Sequence, residues 1–234
     1  MSPTSAGRLV GGDVTLIIIA KEPVAGRVKT RLCPPCTPGQ AARIAEAALR
    51  DTLEVVAATP AARRVVALDG DVGPWLPTGF DVFPQPQGGL DERLAHAIAS
   101  VGGPALLVGM DTPQVTPTLL GHASRELLRW PNRAVLGLSV DGGWWAVGLR
   151  EADPGAFLGV PMSTVDTGAR QQGRLRAIGS APSLLPELRD VDTYDDARLV
   201  AALTPGSVFA AAFSAVDDEV GFDRRPRSEA VGAR

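Results

Sequence analysis

Four basic residues lie within eleven positions of the chain, in the segment AKEPVAGRVKTRL. They are Lys21, Arg27, Lys29 and Arg31. Ammonium and guanidinium groups at this density suit phosphate oxygens, with which they form charge-assisted hydrogen bonds. Gly26, which lies among them, allows the backbone to approach a ligand closely. The segment indicates a polyphosphate site that is not a P-loop, with a solvated basic loop as the alternative.

Carboxylates occur at two other places where chemistry is expected. Asp111 directly follows the apolar run 105–109, and Asp190 and Asp192 precede a predicted helix. Mg²⁺ is typically bound by one or two carboxylates together with substrate phosphates, so these residues are candidate metal ligands. Two structural roles remain open. Asp111 could cap a turn, and Asp192 could stabilise a helix N-terminus through the helix dipole.

An alternation of apolar strands and amphipathic helices has to position these residues. Apolar runs predict strands over 14–20, 64–68, 80–83, 105–109, 134–140 and 144–149. Helical spacing and threonine caps predict helices over 38–58, 90–101, 117–129 and 194–203. This alternation indicates an α/β fold with a mostly parallel sheet. Ligands bind outside the carboxyl ends of such strands, so the basic segment and Asp111 are expected at one sheet edge.

The length and charge of the chain limit its possible domain organisation and binding partners. Its 234 residues fit one α/β domain, predicted over 13–204, with a loose leader over 1–12 and a partly disordered C-terminal extension over 205–234. The net charge of −3, with both signs interspersed, argues against nucleic-acid and membrane partners. The apolar run near the start is too short to span a bilayer and lacks the pattern of a signal peptide. A cytoplasmic protein is expected.

Five segments together resemble a known family. They are AKEPVAGRVKTRL, GGLDER (88–93), GMDTP (109–113), DGGWWAVGL (141–149) and DVDTYDDA (190–197). The set resembles a bacterial family of GT-A-like transferases of unknown function, in the nucleotide-diphospho-sugar transferase superfamily. It is more distantly similar to phospholactate, phosphoenolpyruvate and molybdenum-cofactor guanylyltransferases. The resemblance implies a three-layer, Rossmann-like GT-A fold with a mostly parallel central sheet, a nucleotide substrate, and Mg²⁺ or Mn²⁺ as cofactor.

The resemblance also implies roles for individual residues. Asp111 and Asp192 match the metal-binding aspartates of the family, and Asp141 lies near the acceptor. The expected nucleotide-binding residues are Lys21, Gly26, Arg27, Lys29, Arg31, Gln87, Gly88 and Gly89. Two departures fall in the expected acceptor region. Trp144 and Trp145 stand where the family usually has two tyrosines, and segment 162–164 lacks the usual aromatic residue.

These residues predict a metal-dependent nucleotidyltransferase that transfers NMP from an NTP to a small phosphorylated acceptor. Lys29 and Arg31 would stabilise the leaving pyrophosphate, and with Asp141 they are the expected catalytic residues. One alternative is a GT-A-type glycosyltransferase that uses a nucleotide sugar, with Asp141 as a base. The other alternative is a non-catalytic nucleotide-binding module. The acceptor is not identified, and a homodimer stays open.

Overall fold

The structure is a computed structural model that describes residues 11–129 and 133–223. The strands in these ranges are β1 (Thr15–Lys21), β2 (Arg63–Asp69), β3 (Asp81–Pro84), β4 (Ala105–Gly109), β5 (Arg133–Ser139), β6 (Trp144–Leu149) and β7 (Ala181–Leu188). The helices are α1 (Pro38–Ala58), α2 (Leu90–Ala99), α3 (Pro117–Leu128), α4 (Thr167–Ala177), α5 (Tyr194–Leu203) and α6 (Val208–Asp223). Short 3-10 turns join several of these elements. None of the described helices is long and apolar enough to cross a membrane.

All seven strands belong to one sheet, in the order β3-β2-β1-β4-β6-β5-β7. Neighbouring strands are parallel except at β6, which runs antiparallel to both β4 and β5. The predicted mostly parallel sheet is therefore confirmed. The carboxyl ends of β1, β4, β5 and β7 share one edge, and β6 begins at that same edge after a tight turn.

Both faces of the sheet are covered by helices. Leu16 and Ile18 of β1 belong to a core cluster with residues of α1 and α3. Ile17, which points to the opposite face, belongs to a second cluster with residues of α2 and α4. Strands buried on both faces carry continuous apolar runs, which explains the sequence of β1. The predicted three-layer α/β architecture is confirmed.

Threonines begin three of the predicted helices. The hydroxyl groups of Thr37, Thr116 and Thr193 each accept a hydrogen bond from a backbone N–H in the first helical turn. Pro38 and Pro117 follow two of these caps at positions where the missing N–H has no intrahelical partner. The N-termini of α1, α3 and α5 therefore lie where the sequence predicts them.

Two elements before residue 204 were missed by the sequence patterns. Helix α4 is polar, and Leu175 is its one fully buried large apolar side chain. Strand β7 contains Pro182 and Pro186, which argue against a central strand. It is the edge strand of the sheet, a position at which proline is tolerated.

Part of the C-terminal extension predicted over 205–234 is helical, and its partial disorder stays a prediction. Helix α6 packs on α1 and α5 through apolar residues at helical spacing, but its other faces also carry apolar residues, so its amphipathic pattern is weak and was not recognised. The carboxylate of Asp51 in α1 accepts hydrogen bonds from the backbone N–H groups of Val208 and Phe209, which anchors the first turn of α6. Residues 224–234, and residues 1–10 of the predicted leader, lie outside the described residues.

Candidate active site

A cleft with a volume of about 860 Å³ lies at the sheet edge where β1, β4, β5 and β7 end. Residues from all the predicted catalytic and metal-binding segments line it. These are Lys21, Arg27, Lys29 and Arg31 after β1, Asp111 after β4, Asp141 after β5 and Asp192 after β7. The topology explains this convergence, because parallel strands deliver the residues that follow them to the same edge.

Lys29 lies at the centre of the charged residues in the cleft. Its side chain is 8% exposed, and its Nζ lies 2.8 Å from Asp111 Oδ2 and 3.1 Å from Asp192 Oδ1. Arg31 Nη1 lies 3.0 Å from Asp192 Oδ2. Burial alone lowers the pKa of Lys29, but the two carboxylates outweigh it, and the pKa lies above its ordinary value. Lys29 therefore remains an ammonium ion throughout the neutral range.

Local backbone structure holds this arrangement. Lys29 is in the left-handed region (φ 48°), and the buried side chains of Val28 and Leu32 on either side fix the loop to the body of the protein. Non-glycine residues in this conformation concentrate at functional sites. The segments that carry the two aspartates are also linked through the backbone, because the Val191 N–H donates to the Asp111 carbonyl oxygen at 3.0 Å. This bond joins the loop after β4 to the segment that carries Asp192.

Two carboxylates of the cleft, those of Asp111 and Asp192, are candidate ligands for a divalent metal. Asp111 Oδ1 is buried and has no hydrogen-bond partner, and its second oxygen contacts the Lys29 ammonium. The position between Asp111 and Asp192 therefore favours positive charge. Within the described ranges, no three His, Cys, Asp or Glu side chains are grouped so that they could hold a metal. A Mg²⁺ ion here would need water and substrate phosphates as its other ligands, which is its usual way of binding.

The other residues predicted to bind a nucleotide lie away from the charged centre around Lys29. Lys21 Nζ and Arg27 Nη2 line the cleft but lie 3.7 Å and 3.6 Å from the Asp69 carboxylate, a partner that the sequence analysis missed. Gly26 forms an exposed turn with φ +77° and is not part of the lining. A signal for Asp69 was available, because it directly follows the strand predicted over 64–68, and it ends β2 at the same sheet edge.

The segment from Gln87 to Gly89 also lies outside the cleft lining. Gly89 begins α2, and its N–H donates to Glu92 Oε2 at 2.9 Å. Gly88 has φ +130°, and a side chain there would collide with Glu92. In this structure these glycines begin the helix that carries Leu90 into the cleft. Contact of residues 87–89 with a nucleotide base remains a prediction.

The turn between β5 and β6 forms the opposite wall of the cleft. Asp141 Oδ1 accepts a hydrogen bond from the Gly143 N–H at 2.9 Å. Gly142 has φ +88°, and a Cβ there would collide with the Val165 carbonyl oxygen, so glycine is required. The Gly168 N–H donates to the Gly142 carbonyl oxygen at 2.8 Å. The turn is thereby fixed against segment 162–168, which lines the same wall.

The two tryptophans after this turn have different environments. Trp145 is 1% exposed, and its Nε1 donates to the Pro186 carbonyl oxygen at 3.0 Å. Trp144 lines the cleft, and its Nε1 is buried without a hydrogen-bond partner. Thr112 Oγ1, also in a residue of the lining, is likewise buried and unpartnered. Buried polar atoms without partners in a cleft are candidate contacts for a ligand.

Asp190, a candidate metal ligand in the sequence, also lines the cleft. Ser139 Oγ donates to Asp190 Oδ1 at 2.8 Å. Burial, together with the carboxylates of Asp111 and Asp141, raises the pKa of Asp190 to about 7, against the lowering effects of the Ser139 hydrogen bond and of Lys29. The sequence indicates Asp190 as a candidate metal ligand, but its burial depends on distant segments and could not be predicted.

This raised pKa predicts a pH dependence of stability. Between about pH 4 and pH 7 the folded state holds a proton on Asp190 that the unfolded state has lost, so the free energy of unfolding falls as pH rises. The variant Asp190→Asn lacks this dependence. We expect the free energy of unfolding of the variant to rise relative to that of the parent through this window, by about 2 kcal/mol near pH 8. One pKa unit corresponds to about 1.4 kcal/mol, and the expected difference is smaller than the full shift because Asp190 keeps some contact with solvent. Urea unfolding with EDTA present measures this; parallel pH profiles for the two proteins would contradict it.

Comparison with known proteins is consistent with this architecture. A model of the family described as "Uncharacterized protein conserved in bacteria (DUF2064)" matches residues 44–164. No curated protein has a sequence that matches the chain. A Desulfovibrio desulfuricans G20 protein, provisionally described as a nucleotide-diphospho-sugar transferase, superposes with a TM-score of 0.79. The two are 23% identical, over 92% of this chain and 98% of that protein.

Two more distant structures share the fold. A Methanothermobacter nucleotidyl transferase superposes with a TM-score of 0.54 at 14% identity, over 82% of this chain and 97% of its own. A CMP:2-keto-3-deoxy-manno-octonic acid synthetase in complex with CTP gives a TM-score of 0.51 at 13% identity, over 82% of this chain and 98% of its own. The fold is that of nucleotide-diphospho-sugar transferases, as the resemblance implied.

Proposed function

The chain belongs to the bacterial DUF2064 family, and we propose that it is a metal-dependent transferase that acts on a nucleotide. The leading reaction is transfer of NMP from an NTP to a small acceptor. The observation that carries the proposal is the position of the Lys29 ammonium between Asp111 and Asp192, with Arg31 beside it. Cations suit a polyphosphate, and the paired carboxylates suit the divalent ion that accompanies it.

The residues of the cleft have separate roles in this reaction. Lys29 and Arg31 contact the phosphates and stabilise the negative charge of the leaving pyrophosphate. Asp111 and Asp192 would hold the metal, which when bound neutralises charge between the phosphates. Asp141 keeps one carboxylate oxygen that is not bonded to Gly143, and this oxygen accepts the proton of the attacking acceptor. Positioning and electrostatics supply most of the acceleration.

Transfer of a sugar from a nucleotide sugar is the second candidate reaction. All the basic residues in the cleft lining come from positions 21–31, so the opposite wall lacks a cation for the phosphorylated acceptor that the sequence favoured. An acceptor hydroxyl needs no such cation, and the same basic residues would stabilise a nucleoside diphosphate leaving group. This observation favours an acceptor hydroxyl, the group that accepts the sugar in glycosyl transfer, without changing the roles of the metal or the basic loop.

Thermal unfolding with a panel of nucleotides tests the function. With Mg²⁺ present, a ligand at about a hundred times its Kd should add about 2.7 kcal/mol to stability. The largest rise with a bare NTP supports nucleotidyl transfer, and the largest rise with a nucleotide sugar supports glycosyl transfer. No rise with either, in a folded protein, would reject the proposal. Binding without release of pyrophosphate or nucleoside diphosphate for any acceptor would indicate the non-catalytic module.

A further inference from the structure

The two walls of the cleft differ in charge. The phosphate wall consists of Lys21, Arg27, Lys29 and Arg31, and the acceptor wall consists of Asp141, Trp144, Ser163, Thr164 and Thr167. Each residue of the phosphate wall is a cation, whereas the charged residue of the acceptor wall is a carboxylate. A phosphate group on the acceptor would therefore lie beside negative charge with no cation to pair with it, which is unfavourable in a partly buried cleft.

The polar atoms of the acceptor wall suit hydroxyl groups. The buried Nε1–H of Trp144 lacks a partner and can only donate a hydrogen bond. The free oxygen of the Asp141 carboxylate can only accept one. A hydroxyl group does both, so a molecule with several hydroxyls satisfies the two residues together.

Apolar surface accompanies these polar atoms. Trp144 and Met162 are partly buried and pack against the core cluster on the α2 side of the sheet, and both line the cleft. Ser163, between Met162 and Thr164, is held in the left-handed region with φ 60°. A non-glycine residue in this conformation is strained, and such strain concentrates at ligand sites. Pockets that combine an aromatic surface with a few fixed polar groups are typical of small-molecule sites.

We propose that the acceptor is an uncharged, polyhydroxylated small molecule, a sugar or polyol without phosphate, bound between Trp144 and Asp141. This inference rests on the proposed function and narrows it to a substrate class. Sugars match the wall because their hydroxyl edges are polar and their carbon faces are apolar, so that one face can lie against the Trp144 ring.

The chemical step balances for either donor. With an NTP, an acceptor hydroxyl oxygen forms a bond to the α-phosphorus, the bond from that phosphorus to the bridging oxygen breaks, and pyrophosphate leaves. With a nucleotide sugar, the hydroxyl oxygen bonds to the anomeric carbon, the bond from that carbon to phosphate oxygen breaks, and nucleoside diphosphate leaves. In both, the hydroxyl proton goes to Asp141.

Saturation-transfer NMR on the full chain, with Mg²⁺ and the preferred nucleotide bound, tests the acceptor class. The probes are glucose against glucose 6-phosphate, and mannitol against mannitol 1-phosphate. We expect each neutral compound to bind about tenfold more tightly than its phosphorylated counterpart. Equal or tighter binding of the phosphorylated compounds, or binding of none while the nucleotide is bound, would overturn the inference. Failure of the nucleotide itself to bind would instead reject the proposed function.

Two conservative variants locate the binding site. Trp144→Phe keeps an aromatic ring but removes the N–H donor, and we expect about tenfold weaker binding of the neutral probes with unchanged nucleotide affinity. Asp141→Asn keeps the oxygen that accepts from Gly143 but removes the charge, and it should reduce the discrimination against phosphorylated probes. Unchanged probe affinity and discrimination in both folded variants would place the acceptor elsewhere.

Discussion

Replacing Lys29 by methionine is expected to weaken binding of Mg²⁺-NTP about tenfold or more, and to tighten binding of Mn²⁺ alone. The first effect follows because a charge-assisted hydrogen bond to phosphate is worth about 1.5–3 kcal/mol, and about 1.4 kcal/mol corresponds to tenfold in Kd. The second follows from position. The ammonium lies within 3.1 Å of both Asp111 and Asp192, so it competes with a metal for the same carboxylates.

The opposite signs of these two effects make the experiment decisive. Isothermal titration at low ionic strength, where screening is weak, measures both affinities. An NTP and its monophosphate should be compared, because the lost charge faces the β- and γ-phosphates and the monophosphate should be little affected. NTP affinity equal to that of the parent would place the phosphate site elsewhere. Weaker Mn²⁺ binding in the variant would show that Lys29 supports the carboxylates and does not compete for them.

Two neighbouring residues provide matched controls. Lys21→Met removes a cation from the same segment, but the partner of Lys21 is Asp69, 3.7 Å away, so Mn²⁺ affinity should not rise. Arg31→Ala removes a side chain that is 67% exposed and contacts Asp192 but not Asp111. It should weaken NTP binding, with a smaller effect on Mn²⁺ than Lys29→Met. Together the three variants separate a general loss of positive charge from the specific position of Lys29.

The charged centre could be predicted because its members follow strands. Lys29, Asp111 and Asp192 are far apart in the sequence, yet each lies in a segment that follows a parallel strand, and such segments meet at one edge. Two of those strands, β1 and β4, were recognisable from their apolar runs. Strand β7 was not, because its prolines hid it, and Asp192 was recognised through the acidic segment before α5 instead.

Other features depend on tertiary contacts that no local pattern records. The insertion of β6 between β4 and β5 sets the distance of Asp141 from the basic loop, and strand order is not encoded in strand periodicity. The pKa of Asp190 depends on burial by distant segments. Helix α6 is stabilised by its contacts with α1 and by Asp51, a polar residue that looks out of place in α1 until its partner is known.

The two tryptophans of β6, which stand where the family usually has tyrosines, have different environments. The sequence alone does not distinguish them, because they are of the same type. Both residues border the cleft, but alternation along the strand buries the Trp145 side chain in the core and leaves Trp144 partly exposed. The departure at Trp144 therefore falls on the wall that we propose binds the acceptor. The departure at Trp145 concerns packing, because its indole closely approaches Gly137.

Replacing Asp111 by asparagine is expected to remove most of the Mg²⁺ dependence of NTP binding. In the parent, Mg²⁺ should strengthen NTP binding about tenfold or more over the value in EDTA, and in the variant the two affinities should be similar. Asparagine has nearly the same shape and leaves the Asp111 carbonyl oxygen free to accept from Val191. The loop geometry and the Lys29–Asp192 contact are therefore retained, so the change isolates the charge.

Asp69→Asn is the matched control, because it also removes a carboxylate from this sheet edge but contacts Lys21, Arg27 and Arg93 rather than Lys29. Its Mg²⁺ dependence should equal that of the parent. Titration of NTP with Mg²⁺ or EDTA, and circular dichroism to verify folding, are the measurements. A folded Asp111→Asn variant that keeps its Mg²⁺ dependence would assign the metal to other residues. An unfolded one would show that Asp111 is required for structure, because the buried Lys29 ammonium would then have lost a partner that the fold needs.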